Sequence, residues 1–130
     1  MMDLGLNGTK LQSVLIENSL VMQLSDQHFA LIASPLVLSR DGEVLTLTPD
    51  EDAEEAFLPI RQLVGFDVVE STADDSGALR MAFEDGSLIH VPADAAYEAW
   101  NVSRPHRVLV VSMPGGELAI WSAEIDPDDA

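Results

Sequence analysis

Apolar and polar residues alternate over short stretches along most of the chain. Leu20, Met22 and Leu24 are interleaved with Val21, Gln23 and Ser25, Leu79, Met81 and Phe83 with Arg80, Ala82 and Glu84, and Leu45 and Leu47 with Thr46 and Thr48. A period of two puts each apolar set on one face of an extended strand. The runs stop at turn chemistry: Ser25-Asp26-Gln27, Asp41-Gly42, Asp74-Asp75-Ser76-Gly77, Glu84-Asp85-Gly86-Ser87 and Pro114-Gly115-Gly116. Asp-Gly and Gly-Gly accept the positive φ of tight hairpins, so about ten short strands are expected, paired antiparallel through hairpin-length loops.

One stretch departs from this period. Thr48-Pro49-Asp50-Glu51 reads as a helix start, with Thr48 as N-cap, Pro49 at the first helical position and Glu51 closing a capping box. Ala53, Ala56, Phe57, Ile60, Leu63 and Val64 then recur at spacings of three and four, one apolar helix face, and Gly65 suits the C-terminal cap. Pro59 falls inside the pattern, where it removes a backbone donor and crowds the preceding turn. The expectation is two short helices, or one kinked helix that restarts at Pro59.

The strands also repeat. Leu20-Val21-Met22-Gln23-Leu24-Ser25-Asp26 matches Leu79-Arg80-Met81-Ala82-Phe83-Glu84-Asp85 at an offset of 59. Leu6 to Leu11 matches Leu63 to Val68 at 57, and Leu38-Ser39-Arg40 matches Val102-Ser103-Arg104 at 64. Leu118-Ala119-Ile120-Trp121 adds one strand to the second copy. A short meander cannot bury its apolar face alone, so the two copies should share one core. The predicted fold is mainly β: two pseudo-symmetric β-meander halves, about 4–48 and 63–123, joined by one short or kinked helix over about 49–64. All of this is expected to form a single domain over 1–125, followed by an acidic tail at 126–130.

Charge narrows the function classes. The 130 residues hold 23 Asp and Glu against 6 Lys and Arg, a net charge of -17, yet 47% are hydrophobic, too many for a disordered acidic chain. Such a charge opposes phosphate-backbone and anionic-membrane binding and permits a basic protein partner. Five acids cluster at Asp50, Glu51, Asp52, Glu54 and Glu55 and four lie from Glu124 to Asp129, which leaves -8 on the rest. There is no cysteine, hence no disulfide, thiolate ligand or thiol nucleophile. Apolar runs are no longer than five residues, as in Phe29-Ala30-Leu31-Ile32-Ala33, and Met1 to Asn7 has no basic, then apolar, leader. A cytoplasmic location is expected.

No catalytic constellation is assembled in the sequence. His28, His90 and His106 lack metal-ligand spacing, and no nucleophile elbow, phosphate loop or dinucleotide fingerprint occurs. Asp50-Glu51-Asp52 and Asp74-Asp75 pair carboxylates without the apolar surroundings that tune a catalytic pKa. No cofactor or metal is expected. Trp100 and Trp121 both sit on predicted strands, where each ring would bury on the order of 200 Å² in the core. Glu98, between Tyr97 and Trp100, could either hydrogen-bond backbone at a strand start or face a cleft.

Several second-half motifs carry a family resemblance: Phe83-Glu84-Asp85-Gly86-Ser87-Leu88, Val91-Pro92, Tyr97-Glu98-Ala99-Trp100 and Pro114-Gly115-Gly116-Glu117-Leu118-Ala119-Ile120-Trp121. With Leu4-Gly5-Leu6-Asn7-Gly8 near the start, they resemble a family of small bacterial proteins of uncharacterised function, similar in the C-terminal half to some toxin-immunity proteins. Where that family's pattern has a Gly-Pro-Asp-Gly-type turn after the Trp strand, this chain has Ser103-Arg104-Pro105-His106-Arg107. The resemblance implies a mainly antiparallel β fold and protein binding, with no catalytic residues.

The sequence therefore points to a non-enzymatic interaction module, immunity-like, that binds a basic protein through acidic surface. The candidate contacts are Tyr97, Glu98, Trp100, Asp50, Glu51, Asp52, Glu54 and Glu55. The alternative is a small-ligand binding protein or minor enzyme with a cleft between the two β halves near Tyr97, Glu98 and Trp100. An open meander must also protect its edges, so homodimerisation through an edge strand is a third expectation.

Overall fold

A computed structural model describes residues 1–105 and 108–122. It contains twelve strands: β1 (Met2–Asp3), β2 (Leu11–Ile16), β3 (Leu20–Leu24), β4 (His28–Ile32), β5 (Leu36–Arg40), β6 (Glu43–Leu47), β7 (Val68–Ala73), β8 (Leu79–Phe83), β9 (Leu88–Val91), β10 (Trp100–Arg104), β11 (Val108–Ser112) and β12 (Leu118–Ser122). They form two antiparallel sheets of six. Sheet I has the order β1-β7-β8-β9-β5-β6 and sheet II the order β12-β11-β10-β4-β3-β2. The mainly β expectation holds, with two strands beyond the ten predicted.

The repeat explains this order. Each half lays three consecutive strands in one sheet and then crosses over to place its next two in the other. Thus β2-β3-β4 lie in sheet II and β5-β6 in sheet I, whereas β7-β8-β9 lie in sheet I and β10-β11 in sheet II. Register follows the sequence offsets residue by residue. Met22 faces Ala30 as Met81 faces Ile89, and Ala30 faces Val102 as Ile89 faces Leu38. Even an irregularity recurs: the β2–β3 ladder slips between Leu11 and Ser13, and the β7–β8 ladder between Val68 and Glu70, 57 residues on.

Alternate side chains of both sheets merge into one buried cluster that includes Leu20, Met22, Ile32 and Trp100 from sheet II and Leu38, Met81, Phe83 and Ile89 from sheet I. At one corner the sheets meet at an isolated bridge between Lys10 and Asp67, positions that correspond in the two copies. The hydrogen bonds around it are reciprocal: Leu11 N–H donates to Phe66 O and Val68 N–H to Thr9 O, at 3.0 and 2.7 Å. Lys10 Nζ lies 2.9 Å from Asp67 Oδ1, and this hydrogen bond, with the carboxylate's charge, raises the Lys10 pKa.

The linker differs in part from the expected helix. Residues after Thr48 make a turn, in which Thr48 N–H donates to Asp52 Oδ2 at 2.6 Å and Thr48 O accepts from Glu51 and Asp52. Asp52, rather than Thr48, thus closes this corner. Helix begins only with a 3-10 turn, Glu54–Phe57, capped at Ala53, and continues as α1 (Leu58–Arg61) with Pro59 in its first turn. The expected restart at Pro59 is present. With so few turns the apolar face shrinks: Phe57, Ile60 and Leu63 are buried, and Ala53, Ala56 and Val64 are exposed. Arg61 Nη1 donates to Val14 O, which caps the free edge of β2.

The outer faces of the two sheets contrast. On sheet I the cross-strand row Thr72, Arg80, His90, Val37, Thr46 is largely polar. The matching row on sheet II reads Leu15, Val21, Leu31, Asn101, Val111, Ala119, beside a second row Ser13, Gln23, Phe29, Ser103, Leu109, Trp121. Trp121 therefore points outward and is 52% exposed, contrary to the expectation of two core tryptophans. Strand period alone does not say which face is covered.

The β7–β8 and β11–β12 turns touch backbone to backbone. Gly77 has φ +86°, and a Cβ there would collide with Gly116; Gly8 has the same φ and nothing within 4 Å. Gly8→Ala should cost about 1–2 kcal/mol for the left-handed backbone alone, and Gly77→Ala about 3 kcal/mol or more because the collision is added. Chemical denaturation of the two variants checks this difference.

Candidate functional site

The charged side chains in the connections at one end of the strands share a sign. The segments 17–19, 48–53, 74–78, 92–99 and 113–117 contain Asp or Glu and no Lys, Arg or His, 33–35 is uncharged, and the N-terminal ammonium at this end is paired with Asp75 at 3.2 Å. Lys10, Arg40 and Arg104 belong to the opposite end. Lys10, Arg40, Arg61 and Arg80 each lie against a carboxylate (Asp67, Asp85, Glu54 and Glu70), so they do not neutralise the acidic end.

At this acidic pole lies a cleft of about 560 Å³, lined by Ser34 and Pro35, by Thr48, Asp50 and Glu51, and by Asp94, Tyr97 and Glu98. Its walls are the two crossovers between sheets and the corner after β6. Ala33 N–H and Ser34 N–H both donate to Ala99 O at 2.9 and 3.2 Å, which ties one crossover to the other. Asp94 organises the second wall. Its Oδ1 accepts from Ala96 N–H at 2.7 Å and Tyr97 N–H at 3.1 Å, its carbonyl accepts from Gly115 N–H at 2.8 Å, and Ser34 Oγ lies 3.5 Å from its Oδ2. This Asx-type turn holds Tyr97 outward, 71% exposed.

Trp100 anchors the segment from beneath. It is fully buried, and its Nε1 donates to Gly77 O at 2.9 Å, an oxygen that also accepts from Ser112 Oγ at 2.9 Å. The expectation that Trp100 offers a contact surface is thus corrected: burying the indole requires a partner for its N–H, and the Gly77 carbonyl supplies it. Of the other candidates, Asp50, Glu51, Tyr97 and Glu98 meet in the cleft. Asp52 closes the adjacent corner. Glu54 pairs with Arg61 at 2.7 Å, and Glu54 and Glu55 border a separate shallow groove with Leu58.

Asp94 and Ser34 were not among the sequence candidates. The signal for Asp94 was present: the offset between the copies grows from 59 to 64 between β9 and β10, and the five added residues are the segment that carries Asp94, Tyr97 and Glu98. Ser34, a buried serine beside a proline, had no signal.

Asp50, Glu51, Asp94 and Glu98 give the cleft four carboxylates and no basic group. Among the described residues no three His, Asp or Glu side chains are grouped to hold one metal ion. The acids are spread along the walls beside an exposed phenol ring, a geometry that suits an extended organic cation better than a point charge. A second concavity, beside Arg40, Asp41 and Glu43, is occupied by structural contacts: Arg40 Nη1 donates to Gln62 Oε1 at 2.7 Å and Pro59 O at 3.3 Å. His106, Arg107 and the acidic tail at 126–130 lie outside the described residues.

These features define a two-sheet antiparallel β protein with an acidic, open cleft between its repeat copies. The chain belongs to DUF6188, a family of unknown function, which it matches over residues 2–122. No curated protein and no solved structure matches it. Among the described residues no helix is long and apolar enough to cross a membrane.

The β7–β8 turn at the same pole gives a pH signature. Asp74 accepts hydrogen bonds from the Ser76 hydroxyl, Ser76 N–H and Ala78 N–H, and chiefly the Ser76 hydroxyl holds its pKa below the usual 3.8. A carboxyl whose pKa is lower in the folded state stabilises the fold above its unfolded pKa, and that stability is lost as pH falls through the folded value. The stability difference between the native chain and Asp74→Ala should therefore be largest near neutral pH and shrink below pH 3.8. Urea unfolding as a function of pH measures it.

Proposed function

We propose that this chain is a non-enzymatic interaction module whose acidic pole docks a basic protein, with an Arg or Lys side chain of the partner seated in the Tyr97–Glu98 cleft. The observation that supports this reading best is the one-signed pole around an open concavity that contains an exposed aromatic ring. The uncompensated carboxylates would steer a basic partner and raise its on-rate, while the Tyr97 ring face and the Glu98 carboxylate would hold the cation once docked. An immunity role, with a basic toxin as partner, is the specific case favoured by the motif resemblance of the second half.

The test is capture of the partner from the source cell's extract at low and moderate salt, followed by kinetics with variants. Glu51→Gln with Glu98→Gln should slow association about tenfold at low salt, and Tyr97→Ala should speed dissociation about fivefold or more, because rim charge acts on encounter and the buried contact on escape. All three side chains are exposed, so the fold is untouched. A partner whose binding ignores both salt and these variants would overturn the proposal.

The cleft's volume favours one second reading, since small-ligand sites typically measure about 300–1,000 Å³. A small organic cation that raises the melting temperature of the native chain but not of Glu98→Ala, with no protein captured, would establish that reading instead.

A further inference from the structure

Among the described residues, the two outward cross-strand rows of sheet II are free of charge in a protein that carries 23 acids. The rows hold twelve side chains from six strands, and none is Asp, Glu, Lys or Arg. Eight are apolar, among them Leu15 at 55%, Phe29 at 39% and Trp121 at 52% exposure, although Val111 is already covered at 2%. Sheet I, built on the same repeat, has Arg80, His90 and Glu70 at equivalent places. The difference is confined to one face. A solvent-facing sheet surface normally alternates polar residues outward, so six contiguous strands without charge mark a surface that is covered by something.

We propose that the occupant is a second copy of this chain, packed sheet II against sheet II about a two-fold axis. Electrostatics favours this occupant. Two molecules of net charge -17 repel wherever their acidic surfaces meet, and this face brings no charge against charge. A basic partner would gain nothing from a neutral face and would be drawn to the acidic pole. The area suffices as well: six strands about 4.8 Å apart, each about five residues long, cover roughly 450–500 Å² of sheet, so a face-to-face pair buries on the order of 1,000 Å² in total, at the lower bound for a specific interface. This contact lies on the flat of the sheet and is distinct from pairing along the β12 edge.

Sedimentation from low micromolar to near-millimolar concentration tests the proposal. The native chain should reach twice its 14.0 kDa mass, with a dissociation constant that is unchanged or lower at high salt, because screening removes the repulsion between the copies. Gln23→Glu and Phe29→Glu each add a like charge near the axis and should weaken the dimer at least tenfold. Gln23→Glu is close in size and exposed, so it controls for folding. Val44→Glu, on the outer face of sheet I, should leave the dimer intact. A monomer at every concentration would overturn the proposal. So would a dimer that Ile120→Pro dissociates and the two glutamate variants do not, since the β12 edge would then be the contact. A chain that dimerises only after residues 123–130 are removed would overturn it too, because its own end would then be the occupant.

Discussion

Each half of the chain sends its fourth strand across to the opposite sheet, and this exchange is the constraint on which everything else rests. Because β5 completes the sheet begun by β7-β8-β9, and β10 the sheet begun by β2-β3-β4, neither half can bury its own apolar faces. The two copies therefore close around an approximate two-fold axis near Lys10 and Asp67. Residues that correspond in the two copies face one another at such an axis, so an identical pair would set like charge against like. With lysine on one copy and aspartate on the other, the same geometry becomes an attraction at 2.9 Å. The repeat is broken where exact symmetry would be repulsive.

Elsewhere the copies differ in chemical character mainly at the surface, and within the core mainly in size. Met22 and Met81 are identical, whereas Leu24 becomes Phe83, Ala30 becomes Ile89 and Leu36 becomes Trp100, so buried volume is exchanged between the copies while these positions stay apolar. The shared core must be filled from both sides at near-crystalline density, which leaves little freedom there. The freedom is in the crossovers and the outer faces. The first crossover, 33–35, passes directly between the sheets. The second is five residues longer, and that excess, tied down by Asp94, forms the wall that carries Tyr97 and Glu98. An exactly symmetric molecule would have no such wall, so the cleft is a product of asymmetry.

Much of the architecture was legible because its causes are local. Period-two alternation and turn dipeptides fix strand and hairpin wherever one face is buried, and the offsets of 57, 59 and 64 already contained the registers, the paired bulges and the long second crossover. What sequence alone left hidden depends on neighbours distant along the chain. Trp100 and Trp121 occupy similar strand positions, but Trp100 faces the partner sheet and Trp121 faces away from it. Thr48-Pro49-Asp50-Glu51 has the composition of a helix start, yet Asp52 takes the Thr48 amide and makes a corner, because the chain must turn there to pass from the end of β6 along the β2 edge. The cleft acids Asp50 and Glu51 were visible as charge, but their convergence with Asp94 and Glu98 follows from the crossovers.

The same separation of causes lets one acidic chain carry two surfaces of opposite character. Charge is concentrated in the connections at the strand ends, where turns admit Asp and Glu without disturbing the ladders. The outer face of sheet II lies at right angles to those ends, and its two described rows hold none. A contact on the flat of the sheet leaves the pole open, and a basic molecule at the pole leaves the flat free. Net charge in this protein thus has a direction: it is concentrated along the strand axis and absent from the two described outward rows of sheet II. Any contact made there would rest on apolar burial, which is indifferent to sign and little affected by salt.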